Sequence, residues 1–522
     1  MASSRLIAFA ALLALAAAPA RIHAATEGER ESAAPTTRTV VGRGDVVQTA
    51  AVTEVIPAEA RALATPALLG GGAPPQPTKA GSSPLRAELG PLPPDSTFGG
   101  EPFPGGARAF TERRRLGIAT SEALAIHFTM MGWNRYVGNA EWSHVSGDSL
   151  ERNLRSRWVL DDDDFWVNQF GHPYQGTWSY AAARSAGLGF WTSTAFPIAA
   201  SALWELGGET TLPSVNDQVT TPVAGIVLGE ALWRVAEAIR AQGGTVNEVI
   251  AGMLSPMSAL NGQILGRTAP RPIPSTRFAL QLGGIAGDGA RVGWPDTSAP
   301  RPYLGVELTW GLPGDPDLEL DEPFDHFVLQ GGYGAVSDPL AVMRIRGLLV
   351  GAKVEPAETV GGLWGLFLSF DFDTTGPYRV STSALGVGAS GRAELGGGLA
   401  LETSAVASAI LMGAMGDRPR FGEGRDYRFG PGEQAVLDVR LRADPRVSGG
   451  VALRQYLVLG DGPGAGADVL VETSAGFLLQ IVGPHAVGAE VAHHFRWLRD
   501  VSGALVTGEG DVVRVYYALA GG

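Results

Sequence analysis

From about Thr268 onward the chain repeats a single pattern: segments of about ten residues in which apolar side chains alternate with polar or small ones. Leu304, Val306, Leu308 and Trp310 alternate with Gly305, Glu307 and Thr309. Trp364, Leu366, Leu368, Phe370 and Phe372 alternate with Gly365, Ser369, Asp371 and Asp373. A period of two puts the two sets on opposite faces of a strand. Twelve such segments follow one another, near 277–285, 302–311, 325–335, 341–354, 361–373, 378–388, 397–412, 432–443, 448–459, 468–482, 486–498 and 511–520. Strands of that length cross an outer membrane at a tilt, and closure into a barrel leaves no unpaired edge. The spacing predicts an antiparallel, 12-stranded transmembrane β-barrel over 268–522. Its apolar faces, Trp364 to Phe372 among them, would turn to lipid, and Arg344, Arg346, Asp371, Asp373, Asp438 and Arg440 would line the lumen. Long connections (286–301, 413–431, 460–467, 499–510) then fall mostly on one side and short ones such as 444–446 and 483–485 on the other, with 312–324 as the exception. A soluble sandwich or lipocalin-like barrel with the apolar face inward would show the same alternation.

Composition narrows the reading further. Glycine supplies 72 of 522 residues, about twice its ordinary share, which suits turns and barrels. A net charge of -13 argues against nucleic acid, and the absence of cysteine excludes disulfides, thiol nucleophiles and zinc–thiolate sites. Arg5, the apolar run Leu6 to Ala20 and the small residues through Ala25 read as a secretory signal peptide over 1–24. The Pro-, Ala- and Gly-rich stretch 25–115 has no sustained periodicity and reads as a disordered linker.

Between these parts, 116–267 reads as a helical domain. Helices are expected over Ser121–Val137, Tyr174–Ala186, Phe190–Leu206 and about 214–241, the last opened by Ser214 as N-cap with Asp217 in the capping-box position. Long uncharged runs, Phe190 to Leu203 and Gln218 to Gly229, require burial on nearly every face. Trp133-Asn134, the string Phe170 to Gly176, Ala183-Arg184-Ser185, Phe190-Trp191, Trp204-Glu205, Glu209, Pro213 to Asp217, Gly225, Leu228-Gly229-Glu230 and Arg234 together resemble a bacterial family, domain of unknown function 3943. Ala186 stands where the family pattern carries an asparagine. The resemblance covers roughly 130–240 and implies an exported bacterial protein, often with a β-rich region, with no established activity.

The same residues are the polar groups of an apolar segment. Glu205 and Glu209 share one helical face, and Glu230 and Arg234 are spaced for an ion pair. His172, Arg184, Glu205, Glu209, Asn216 and Asp217 are expected to converge, because charges buried in such helices need partners. Two readings of the set stand side by side. In one, His172 is a base or metal ligand with Glu205, Glu209 or Asp217 as carboxylate partners. In the other, Arg184, Asn216, Glu230 and Arg234 belong with them to a structural network. Asp161, Asp162, Asp163 and Asp164 could attract a hard cation such as Ca²⁺, but they lack the glycine turn and distal glutamate of an EF-hand and read more simply as a solvated loop. So does the acidic stretch Asp315, Asp317, Glu319, Asp321 and Glu322. Gly386 to Gly391 spells G-x-G-x-x-G inside a strand pattern with no helix after it, so no nucleotide is expected. His493 and His494, adjacent in a strand, point to opposite faces.

The sequence therefore predicts an α+β protein, an apolar helical domain followed by the barrel. It would lie in the outer membrane with its N-terminal region in the periplasm and lipid as its partner, the helices docking under, inside or against the barrel. No cofactor, nucleotide or nucleic acid is expected, and oligomeric state is left open. The expected role is non-catalytic: passage of solute or lipid through a lumen that the helices gate or plug, or an envelope structural role. The alternative is an envelope lipid- or glycan-modifying enzyme using His172 with Glu205, Glu209 or Asp217.

Overall fold

The computed structural model describes residues 112–266, 272–287, 300–334, 340–417, 427–443, 446–460, 465–500 and 502–521. The segment expected to be a signal peptide, and nearly all of the one expected to be a linker, lie outside the described residues. Among the described residues seven α-helices come first: α1 Glu112–Tyr136, α2 Gly147–Arg155, α3 His172–Ser185, α4 Phe190–Gly207, α5 Val215–Arg240, α6 Thr245–Leu254 and α7 Pro256–Ile264. Helix α1 starts before the expected boundary, and α2, α6 and α7 lacked a long apolar pattern that would have announced them.

Twelve strands then close into one antiparallel barrel in chain order, β12 pairing β1. They are β1 Thr276–Gly287, β2 Arg301–Trp310, β3 Phe327–Gly334, β4 Leu340–Ala357, β5 Val360–Asp373, β6 Tyr378–Gly396, β7 Leu399–Asp417, β8 Arg428–Ala443, β9 Val447–Gly460, β10 Gly466–Val482, β11 His485–Asp500 and β12 Leu505–Gly521. Each overlaps the segment that the alternation marks, though β6 runs eight residues beyond its expected end and β12 begins six before its expected start. Gly386 to Gly391 lies inside β6, as its pattern requires.

Polarity across the wall runs as a membrane barrel demands. Bonds that span the lumen join Arg344 on β4 to Glu472 on β10 (3.1 Å), Tyr456 on β9 to Asp371 on β5 (2.9 Å) and Arg277 on β1 to Glu402 on β7 (2.6 Å). The opposite faces carry Val387, Val451, Phe477 and Val515, all exposed. His494 turns inward to Glu472 and His493 pairs with Asp511 on β12.

The helices lie against the outer wall rather than in the lumen, so they do not plug it. Helix α5 packs across the outer faces of β4 to β7. Trp364, Leu366, Leu368, Phe370 and Phe372 share the outward face as expected, but Trp364 is 57% exposed while Phe370 and Phe372 are 0%. Phe165, Trp166 and Phe170 pack their rings on Phe372 at 5.5, 4.9 and 5.6 Å. Arg379 lies buried beneath Phe165 and Tyr427, its guanidinium 4.8 and 5.1 Å from the two rings. The long β2–β3 connection is likewise built into this junction. Leu318 packs into the lumen against Leu348, Leu363 and Phe367, and Phe324 packs outward on Phe190 (5.9 Å).

Helices α3 and α5 cross at two glycines. A Cβ on Gly176 would stand 2.1 Å from the Thr221 carbonyl oxygen, and one on Gly225 would stand 2.6 Å from the Gly176 carbonyl carbon. Small residues at such crossings let apolar helices pack where surrounding lipid gives little hydrophobic drive. Gly225→Ala is therefore expected to lower stability by about 1–3 kcal/mol through overpacking, read from denaturant melts of helical circular dichroism. An unchanged midpoint would refute the close crossing.

Candidate functional site

Three segments build a polar pocket in the helical domain. Val159 pairs with Ser214 in a single parallel bridge, its N–H donating to the Pro213 carbonyl (2.9 Å). That bridge lays Asp161 beside the start of α5, where its N–H donates to Asn216 Oδ1 (2.9 Å). A π-helical turn, Val167–Gly171, runs into α3 and sets the angle from which His172 leaves the chain. Such wide turns recur at functional positions. At the end of α4, Asn153 Nδ2 donates to the backbone carbonyls of Glu205 (3.4 Å) and Glu209 (3.2 Å), fixing the turn that carries both carboxylates.

The N-terminus of α5 departs from the expected capping box. Ser214 Oγ accepts the Asp217 N–H (3.2 Å), but the Ser214 N–H goes to Glu205 Oε2 (2.7 Å) instead of returning to Asp217. Asp217 is thereby left to take a hydrogen bond from Asn216 Nδ2 (3.0 Å) and to face the pocket. One ligand atom each from Asp161, His172 and Asp217 lies within 4.8 Å of the others. His172, Glu205, Glu209, Asn216 and Asp217 thus meet, and Asp161 joins them. Asp162 and Asp163 are exposed, and Asp164 Oδ1 accepts the N–H groups of Trp166 (2.8 Å) and Val167 (3.1 Å) at the start of the helical turn that leads into α3.

Asp217, Glu205 and Glu209 bring three carboxylates toward the one imidazole of His172. The pocket carries more carboxylates than its single imidazole can offset, the condition that stores a proton or recruits a cation.

Arg184 does not join this pocket. It belongs to a second, fully buried network with Glu230 and Arg234, separate from Asn216. Arg184 Nε donates to Glu230 Oε2 (2.8 Å), Arg234 Nε to Glu230 Oε1 (2.8 Å), and the Tyr180 hydroxyl to Glu230 Oε2 (2.7 Å). The two arginines reach on to the β2–β3 connection. Arg184 meets Glu322 at 3.0 Å and Arg234 meets Asp325 at 2.9 Å. Glu322 is therefore an anchor of the helical domain and not part of a solvated run. Tyr180, Glu322 and Asp325 escaped sequence reasoning, since nothing local marks which distant acid an arginine takes.

The lumen is the third polar region. Arg344 binds Glu472 and Asp373, and Tyr303, Asp371, Tyr456, His494 and Arg514 are buried around them. Toward the end with the long connections, Tyr378, Val380, Val458 and Leu470 add an apolar layer. Toward the short turns a cavity of about 290 Å³ opens, lined by residues that include Arg277, Glu307, Arg346, Glu402, Asp438 and Arg440.

Residues 157–257 match the family model of DUF3943, a domain of unknown function. The DUF3943 segment holds every member of the acid–histidine pocket, together with Arg184, Glu230 and Arg234. No curated protein matches the chain. Among solved structures it is similar to the NanC porin, at 6% identity over 46% of this chain and 98% of that one with a TM-score of 0.24. It is also similar to the outer membrane channel DcaP of Acinetobacter baumannii, at 11% identity over 47% and 94% with a TM-score of 0.19. The CymD monoaromatic hydrocarbon channel matches at 8% identity over 48% and 89%, with a TM-score of 0.19.

Proposed function

We propose that the chain is an outer-membrane barrel whose lumen is a solute vestibule sealed at mid-height, and whose helical domain shares the hydrocarbon layer with the wall it covers. The observation that carries this reading is the inverted polarity. Val387, Val451, Phe477 and Val515 are exposed on the outside while Arg344, Asp371, Glu472 and Arg514 are buried within. A soluble barrel with an apolar interior has the reverse arrangement. The outer surface of the helices continues the apolar belt with Phe128, Trp133, Trp191, Ile198, Val249 and Met253, all exposed. Helices that displace lipid from the barrel must themselves meet lipid, and these side chains suit it.

Passage through this lumen requires the Arg344 cluster to part. Refolded protein should migrate faster unboiled than boiled, and in planar bilayers it should rest in a low-conductance state. Arg344→Ala should increase both conductance and the fraction of time open, because it removes the group that joins Glu472 to Asp373 across the lumen. Wild-type protein that conducts freely, with no change on Arg344→Ala, would overturn the sealed lumen. Recovery in the soluble periplasm would overturn the membrane reading itself.

A further inference from the structure

We propose that Asp161, His172 and Asp217 bind a divalent transition-metal cation of the zinc or manganese type. This rests on the pocket alone and not on the membrane reading. The three ligand atoms lie within 4.8 Å of one another and come from three separate segments: the loop after the parallel bridge, the first residue of α3 and the first turn of α5. A cation there would tie all three together.

A second observation comes from the hydrogen bonds that are missing. Asp217 is 2% exposed, and its carboxylate is held by two neutral groups, Asn216 Nδ2 and the Ser214 side chain, with no cation beside it but His172. Glu205 is 1% exposed, and only one of its oxygens is met, by the Ser214 N–H. Among the described residues no arginine or lysine forms an ion pair with Glu205, Glu209 or Asp217, and neither ring nitrogen of His172 takes part in a hydrogen bond. Buried carboxylates left in this state are costly, and a bound cation offsets them.

The donor set selects the ion. Imidazole beside carboxylates suits zinc or manganese, whereas calcium takes oxygen ligands alone. Asn216 supplies the outer support such sites need. It accepts the Asp161 N–H through Oδ1 and donates to Asp217 through Nδ2, holding both aspartates from one side chain.

The test uses the full chain, folded in detergent, stripped with EDTA and dialysed against zinc or manganese chloride, with bound metal counted by plasma mass spectrometry. Wild-type protein should retain about one equivalent and gain thermal stability in its helical signal on loading. His172→Ala and Asp217→Asn should each weaken binding by more than about tenfold. Heat-modified migration and resistance to trypsin identify the variants that fold, and His172→Gln replaces any that do not. Folded wild-type protein without stoichiometric uptake would overturn the proposal, as would undiminished uptake by folded variants.

Discussion

Replacing Glu230 with alanine is expected to destabilise the helical domain by about 3–5 kcal/mol, the usual consequence of stranding a buried charge. Glu230 is fully buried and accepts from Arg184, Arg234 and Tyr180 at once. Without it two guanidiniums remain in a site built for a carboxylate, one of them 4.4 Å from the Trp233 ring. Glu322 and Asp325 meet these arginines only from the far side, so neither can replace it. Glu230→Gln, which keeps the shape and loses the charge, should fall between wild type and alanine. Denaturant melts of helical circular dichroism give the comparison, with heat-modified migration showing the barrel intact. A midpoint shift within about 0.5 kcal/mol, the range of ordinary surface substitutions, would mean that the arginines are solvated and the network is not sealed.

The barrel was legible because alternation is local: each strand records its two faces in its own residues, and twelve such records in a row leave little choice of architecture. What covers the outer face was not legible. Trp364 and Phe370 stand on one face of β5 and read alike, yet one is exposed and the other lies beneath the helices. An apolar side chain is indifferent to whether lipid or another helix meets it, so the pattern that reveals the wall conceals its partner. The acid–histidine pocket was partly legible for a similar reason. Glu205, Glu209 and Asp217 stand out as charges in apolar helices, and such groups must be gathered somewhere. Asp161 did not stand out, because only the Val159 to Ser214 bridge separates it in role from Asp162 and Asp163. Arg184 was placed both with the acids of the pocket and with Glu230, and the sequence could not choose between them because the pairing with Glu230 is set by how α3 crosses α5 at two glycines far apart in sequence.

The covered wall gives the second large effect, and it distinguishes a docked helical domain from one tethered beside the barrel. Phe370→Arg places a guanidinium where the side chain is 0% exposed, among Leu368, Phe372 and α5. Loss of the ring alone is worth about 3–5 kcal/mol at a buried phenylalanine, and an unpaired charge adds to it. The expected result is release of the helices from the wall while the barrel persists: trypsin should cut within 112–266, and heat-modified migration should be retained. Val515→Arg, on the uncovered side at 60% exposure, should instead weaken the barrel itself by about 2–4 kcal/mol if it lies near the bilayer midplane and leave the helices docked. A reciprocal cysteine pair, one on α5 and one on the outer face of β5, should crosslink in wild type and in Val515→Arg but not in Phe370→Arg. If Phe370→Arg and Val515→Arg behave alike in all three assays, the helices do not cover β5 in the membrane, and the outer surface of the barrel is lipid all the way round.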